Sequence, residues 1–162
     1  MPELYLTVGN HEDRISRAAN EDPRLYGTLT IDDCRFEQYG WNVIPFKHIL
    51  NIEDIHFTHY FTNSNNDKAI GGVNVGRSIV LKHMISGVMG HNHLYSHYNE
   101  ARADGKMVHG LSVGCYFEHE EDWLSPRSQM SWWRGLMMLR NCSGGDFDLE
   151  AIRMKTIKEQ YS

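Results

Sequence analysis

Short apolar runs separated by polar turns recur along the chain and predict alternating strands and helices. Runs rich in β-branched and aromatic residues, bounded by turn residues, predict strands. They lie at 4–8 (LYLTV), 41–46 (WNVIPF), 54–61 (DIHFTHYF) and 85–90 (ISGVMG). Two segments have helical spacing instead. Residues 11–20 predict a helix capped by Asn10, and residues 74–84 predict one with Ile79, Val80 and Met84 inward.

The second half of the chain reads mostly as β-structure. Segments 94–103 and 106–117 flank Asp104-Gly105, which is a strong hairpin signal. Segments 132–141 and 147–157 are joined by Ser-Gly-Gly-Asp and predict a second strand pair. Together with the β–loop–α–β order of the first half, this pattern predicts an α/β layered sheet.

Composition and charge narrow the class of protein without naming a function. The chain has 162 residues, 41% hydrophobic and 23% charged, which suits one globular domain. Its net charge of −5 excludes a global basic field that would attract nucleic acid or anionic lipid, although a local basic groove stays open. No apolar stretch approaches the length of a membrane span and the N-terminus does not read as a signal peptide, so we expect a cytoplasmic protein without a membrane partner. The odd number of cysteines (Cys34, Cys115 and Cys142) predicts reduced thiols.

Histidines follow short apolar runs at several predicted strand ends. GVMGHNH at 87–93 places His91 and His93 on one face of an extended segment, and VGNHE at 8–12 places Asn10 and His11 after another strand. His59 lies near the end of a third. Ligands bind at the carboxyl edge of open α/β sheets, and neutral imidazole is a common metal ligand. Taken alone, each of these histidines is more often a core residue, and Asn10 is more often a helix cap. Three strand ends that all carry nitrogen or oxygen ligands together indicate a metal site.

The motifs GNHE at 9–12, THYF at 58–61 and GHNH at 90–93 resemble, in this order, those of calcineurin-like metallophosphoesterases of the phage and bacterial branch. The resemblance covers essentially the whole chain. It implies a four-layer α/β fold, a β-sandwich flanked by helices, with two divalent metals such as Mn, Fe or Zn. It also implies hydrolysis of a phosphomonoester or phosphodiester by a hydroxide that bridges the metals. By resemblance, Asn10, His59 and His91 bind one metal, His93 binds the other, and His11 contacts the phosphate and protonates the leaving oxygen.

The chain departs from the family before GNHE. The family's D-x-H and GDxxD motifs lie upstream, whereas here eight residues precede GNHE. Asp54-Ile55-His56 spells D-x-H but precedes a strand and lies in the wrong order. Gly145-Asp146-Phe147-Asp148 begins like GDxxD, but Leu149 stands at the position of its last aspartate. We interpret both as coincidence. The prediction is therefore a single, partial domain over 1–162, truncated at its N-terminus. The family binds two metals, and this chain is expected to bind two, one or none. It is a phosphoesterase, incomplete as a single chain; a fragment that a second polypeptide completes; or a non-catalytic binding or regulatory module.

The substrate stays open at this level. Nucleic acid, cyclic nucleotide and phosphoprotein all carry suitable phosphate esters, and the loops 62–72 and 118–131 are where we expect specificity. Trp132-Trp133 could stack nucleobases, but packing in the core or on a sheet face is the favoured interpretation, and His97, His109 and His119 are likewise expected in the core or at the surface. A sheet edge left exposed by missing strands favours pairing with a second copy.

Overall fold

Strands and helices alternate along the chain in the computed structural model, which describes residues 2–122 and 124–161. Within those residues the elements are β1 (Leu4–Thr7), α1 (Asp13–Glu21), β2 (Trp41–Ile44), β3 (Leu50–Ile52), β4 (Ile55–Thr58), α2 (Val75–His83), β5 (Ser86–Met89), β6 (Tyr95–Ala101), β7 (Met107–Val113), α3 (Pro126–Met130), β8 (Gly135–Ser143), β9 (Asp146–Arg153) and α4 (Met154–Tyr161). The predicted mixed α/β class is confirmed. The chain divides after Leu50 into two compact units.

The first unit is built on a parallel pair of strands. β1 pairs with β2 from Leu4 opposite Trp41 to Thr7 opposite Ile44, and α1 with three short 3₁₀ turns makes the crossover. Val8 extends the pairing, because its N–H donates to the carbonyl of Ile44 at 3.0 Å. Both strands were predicted. The predicted cap was wrong, since α1 begins at Asp13 and its N-cap position is Glu12.

The second unit is organised around a five-stranded mixed sheet of order β3-β4-β5-β7-β6. β4, β5 and β7 run parallel, and β6 is antiparallel to β7 through the predicted hairpin at Asp104-Gly105. β3 was not predicted. It leads into β4 through Glu53 and Asp54, both of which have positive φ (53° and 61°), the backbone geometry of a two-residue hairpin turn.

Each face of this sheet is covered by a different layer. The side chains of Val88 and Met89 point to opposite faces because they are neighbours in a strand. On one side α2 packs in an apolar cluster of Phe61, Ile70, Val75, Ile79 and Met89. On the other side the β8–β9 hairpin packs in a cluster of Ile55, Val88, Leu111 and Phe147. Ile79 and Val80 are buried as predicted, but Met84 is 59% exposed, because α2 ends there in a left-handed residue.

Helix α2 touches the sheet backbone to backbone. The contact lies between Gly76 and Gly110: a Cβ built on Gly110 would stand 1.9 Å from the carbonyl oxygen of Gly76. The N–H of Gly76 also donates to Ser96 Oγ at 3.1 Å. Two glycines therefore set the distance between the helix and the sheet.

The C-terminal region differs from its prediction in one element. β8 and β9 form the predicted antiparallel pair, joined through Gly144 and Gly145. The strand predicted over 147–157 ends at Arg153, however, and helix α4 follows. The three cysteines are free thiols as predicted, and burial raises the pKa of Cys115. Each helix in the described part of the chain is too short or too polar to traverse a bilayer.

Candidate functional site

Two neighbouring parallel strands end side by side and deliver the central pair of histidines. Thr58 is opposite Met89 in the register of β4 and β5. The next residue on each strand continues the pairing, because the N–H of Gly90 donates to the carbonyl of His59 at 3.2 Å. His59 and the loop that starts at Gly90 therefore lie at the carboxyl edge of the sheet, where the sequence placed them.

The imidazoles of His59 and His91 meet at this edge. His59 Nε2 lies 3.1 Å from His91 Nδ1, and the rings are 5.0 Å apart in an edge-to-face arrangement. Tyr60 packs against His91 at 4.8 Å between ring centroids. In the absence of a ligand, one nitrogen carries the proton and donates to the lone pair of the other. Two of the predicted metal ligands are thus in direct contact.

The loop that carries His91 and His93 has an unusual backbone. Both residues lie in the left-handed region, with φ of 31° and 57°, between Gly90 and the start of β6. The Asn92 side chain holds the loop, because its Nδ2 donates to the carbonyl of Ile70 at 3.0 Å. A left-handed conformation in a non-glycine residue costs on the order of 1–3 kcal/mol and persists where the surroundings impose it. Such strain is commonest at functional sites.

His93 faces aromatic side chains. Its ring lies edge-to-face against Trp132 at 4.7 Å and against Phe117 at 5.2 Å. Its carbonyl accepts the N–H of Trp133 at 3.0 Å. The loop is therefore fastened on both sides, to β4 through Gly90 and to segment 132–134 through His93.

Asn10 and His11 lie in the first unit, in the turn between β1 and α1. The turn is closed by Glu12, whose carboxylate accepts the N–H of Gly9 at 2.9 Å, and by the N–H of Asp13, which donates to the Gly9 carbonyl at 3.1 Å. Both residues follow the carboxyl end of a parallel strand, as predicted. Their assignment as metal ligand and proton donor stays a prediction.

The spacing of the His59–His91 pair can be compared with that of two nitrogen ligands on one divalent cation. Two nitrogens each about 2.1 Å from one cation lie about 3.0 Å apart in octahedral and about 3.4 Å apart in tetrahedral coordination, and the separation of His59 Nε2 and His91 Nδ1 is 3.1 Å. Imidazole nitrogens suit Zn, Fe and Mn. Within residues 2–122 and 124–161, no three His, Cys, Asp or Glu side chains gather in a group able to hold a metal. Among the described residues, His59 and His91 therefore form a pair and not a larger group, and their role as metal ligands stays a prediction.

The two sequences that imitate the upstream family motifs lie elsewhere. Asp54 precedes Ile55, which pairs with Ser86 at the amino end of β5, so Asp54-Ile55-His56 lies at the edge opposite the histidine pair. His56 uses Nδ1 in a 3.2 Å contact with the Ser86 carbonyl. Asp146 begins β9 and bonds to His109. These positions agree with the interpretation of both sequences as coincidence.

A chain of hydrogen bonds at this opposite edge was missed by the sequence interpretation. Asp146 Oδ1 accepts from His109 Nε2 at 2.7 Å, which leaves His109 Nδ1 as the acceptor for His97 Nε2 at 3.2 Å. His109 is buried and packs on Phe147 at 4.2 Å. The three residues link β6, β7 and β9, so their first role is to attach the hairpin to the sheet. A sequence signal for this cluster was available, because His109 shares one face of β7 with Met107 and Leu111.

Substitution of His97 by glutamine is expected to reduce the loss of stability in acid. Burial lowers the pKa of His97, and repulsion from His109 lowers it further. The unfolded chain therefore takes up a proton at higher pH than the folded chain. As a result, the free energy of unfolding falls as the pH drops below about 6.5 and levels off below the folded-state pKa. Urea unfolding of both proteins between pH 7.5 and pH 5 measures the difference. If the free energy of unfolding of the variant falls with pH as steeply as that of the unmodified chain, His97 is not the cause of the acid loss. His119→Gln, at an exposed site, is the matched control.

Comparisons of the chain with protein-family models, with curated proteins and with solved structures found no match.

Proposed function

We propose that this chain is a metal-dependent phosphoesterase of the calcineurin-like metallophosphoesterase type, acting on a phosphomonoester or phosphodiester. The observation that supports the proposal is the 3.1 Å approach of His59 Nε2 to His91 Nδ1 where two parallel strands end. The motifs GNHE, THYF and GHNH supply the rest by resemblance. The proposal includes the family's β-sandwich in truncated form and a cytoplasmic location.

The proposal gives each of the motif residues a role. His59 and His91 would hold one cation through Nε2 and Nδ1, with Asn10 as a further ligand, and His93 would be a ligand of a second cation. When bound, a divalent cation polarises the phosphate ester and makes a water molecule more acidic. His11 would contact the phosphate and give a proton to the leaving oxygen, since histidine is the side chain that most often transfers protons in catalysis. The left-handed backbone at His91 and His93 supports these roles, because strained backbone clusters at functional sites.

A second candidate function has an observation of its own. The 3.1 Å separation of His59 and His91 is equally the length of a hydrogen bond between two neutral imidazoles. On this alternative the chain is a binding or regulatory module that keeps the architecture without hydrolysis. Completion by a separate polypeptide that carries the missing aspartates, or pairing with a second copy, likewise stays a prediction.

Metal removal distinguishes the two functions. The purified chain is incubated with Mn²⁺, Fe²⁺ or Zn²⁺, and bound metal is counted by mass spectrometry. Hydrolysis of p-nitrophenyl phosphate and of its bis ester is then followed with and without a chelator. We expect bound metal and turnover that the chelator abolishes, because a neutral imidazole pair needs the cation to act on phosphate. Stoichiometric metal without turnover would favour the binding module, and absence of bound metal would contradict the metal site itself.

A further inference from the structure

An open cavity of about 460 Å³ lies beside the histidine loop, entirely within the second unit. Its walls come from segment 130–134 and from the junction of β9 with α4. Its volume lies in the range of small-molecule sites, roughly 300–1,000 Å³. Its aromatic and charged lining residues are Trp132, Trp133, Arg134, Arg153, Lys155 and Glu118.

Positive charge is concentrated in this cavity although the chain as a whole is acidic. Three cations line it, Arg134, Arg153 and Lys155, against the single carboxylate of Glu118. Glu118 is itself paired with Lys158 at 2.9 Å, and Lys155 makes a loose, exposed pair with Glu159 at 3.7 Å. Exposed pairs of this kind contribute little and leave the lysine available. The local field therefore favours an anion.

Two adjacent indoles share the cavity with these cations. Trp132 has the Arg134 guanidinium 5.4 Å from its ring centroid, and its ring lies roughly perpendicular to the rings of His93 and Phe117. The buried Nε of Arg134 has no hydrogen-bond acceptor among the described residues. Trp133 packs in the predicted manner against the sheet, close to Gly114 and Gly135. Aromatic faces interleaved with cations are the arrangement that binds stacked bases and their phosphates.

The cavity is joined to the histidine loop by direct contacts. The Trp133 N–H donates to the His93 carbonyl at 3.0 Å, and the Trp132 ring lies 4.7 Å from the His93 ring. The neighbouring backbone is fixed as well, because the Arg134 carbonyl accepts the N–H of Met154 at 2.9 Å. A ligand in the cavity would therefore lie next to His93, one of the proposed cation ligands.

We infer that this cavity binds a nucleotide unit, with the base on the Trp132 indole and phosphate oxygens on Arg134, Arg153 and Lys155. The inference rests on the proposed function for its meaning in catalysis, since it makes a nucleotide or a strand of nucleic acid the phosphate ester that is hydrolysed. A sugar phosphate or a phosphoprotein has the anion but lacks the base. Nucleobase recognition is thus the feature that separates these substrates.

Binding is measured calorimetrically with a chelator present, so that no metal is required. The probes are AMP, ribose 5-phosphate and a short single-stranded oligothymidylate. We expect AMP to bind about tenfold more tightly than ribose 5-phosphate, because stacking adds to the phosphate contacts. Stronger binding of the oligothymidylate than of AMP would identify a strand as the source of the nucleotide unit, and the reverse order a free nucleotide. Equal binding of AMP and ribose 5-phosphate would overturn the inference.

Variants assign the binding to this cavity. The double variant Arg153→Gln/Lys155→Gln, at two exposed positions, is expected to weaken AMP binding about tenfold and to flatten its dependence on salt. Trp132→Leu should remove the preference for AMP over ribose 5-phosphate, whereas Trp132→Phe should keep part of it. Arg140→Gln, an exposed arginine paired with Glu150, is the matched control. Unchanged AMP binding in the double variant would contradict this cavity as the binding site.

The nucleotide site and the proposed phosphoesterase activity can fail independently of each other. Hydrolysis without a preference for AMP would overturn this inference and leave the phosphoesterase intact. A preference for AMP that the cavity variants remove, in a chain without metal-dependent turnover, would support the cavity and contradict the phosphoesterase.

Discussion

Replacement of Gly110 by alanine is expected to destabilise the second unit by about 3 kcal/mol or more. The added Cβ would stand 1.9 Å from the carbonyl oxygen of Gly76, and 2.7 Å from its carbonyl carbon. Both atoms belong to the backbone of α2, which cannot move away by rotating a side chain. The helix must shift off the sheet and open the cluster around Ile79 and Met89. Urea unfolding followed by circular dichroism measures the change.

Two further glycine-to-alanine variants test the cause. Gly76→Ala is also expected to destabilise, because its Cβ would lie 2.4 Å from the Gly110 carbonyl oxygen. Alanine improves helix propensity by only about 1 kcal/mol, so the clash outweighs that gain. Gly71→Ala is the control, since no atom lies within 4 Å of its added Cβ. Loss of stability in Gly71→Ala as large as in Gly110→Ala would contradict the Gly76–Gly110 contact as the cause, because alanine lowers the entropy of the unfolded chain and by itself stabilises the fold.

Replacement of His91 is expected to remove metal binding and metal-dependent hydrolysis together. Loss of one of two adjacent ligands should lower metal affinity at least about 100-fold, because substitutions even beyond the ligands cost 10–100-fold. Turnover of p-nitrophenyl phosphate should fall in parallel. Both quantities are measured on His91→Ala and His91→Gly beside the unmodified chain. His48→Ala, an exposed histidine of the first unit, is the control.

The same two variants also test whether the backbone at His91 is strained, because their stabilities can be compared independently of metal binding. His91 has a φ of 31°, which glycine adopts readily and alanine does not. We therefore expect His91→Gly to be more stable than His91→Ala by about 1 kcal/mol, although both lose the metal. Retention of metal affinity in either variant would remove the histidine pair from the proposed site. Equal stability of the two variants would show that the loop is not strained.

Much of the fold could be predicted because the core elements have clear patterns. The apolar run of β5 and the hairpin signal at Asp104-Gly105 depend on local sequence, and both predictions were confirmed. β3 is only three residues long, which is too short for a period to appear. The helix after Arg153 continues an apolar pattern without any breaker, so nothing in the sequence marks the change from strand to helix.

The candidate site could be predicted in part. His59 and His91 meet because parallel strands in register end at the same edge, a rule that the sequence order already implied. The cavity beside His93 could not be derived in this way. It depends on how segment 132–134 crosses between Cys115, His93 and Met154, and these hydrogen bonds join residues far apart in the chain. The chain's overall negative charge also gives no sign that three cations gather there.

The loop between Gly90 and β6 is fastened to the sheet through Gly90 and to segment 132–134 through the His93 carbonyl. Because both attachments are backbone hydrogen bonds, the loop loses its conformational freedom when the protein folds. A ligand of this edge would then meet a backbone whose ordering entropy has already been lost. Association at this edge would then reflect the chemistry of the ligand itself, with little penalty from rearrangement of the chain.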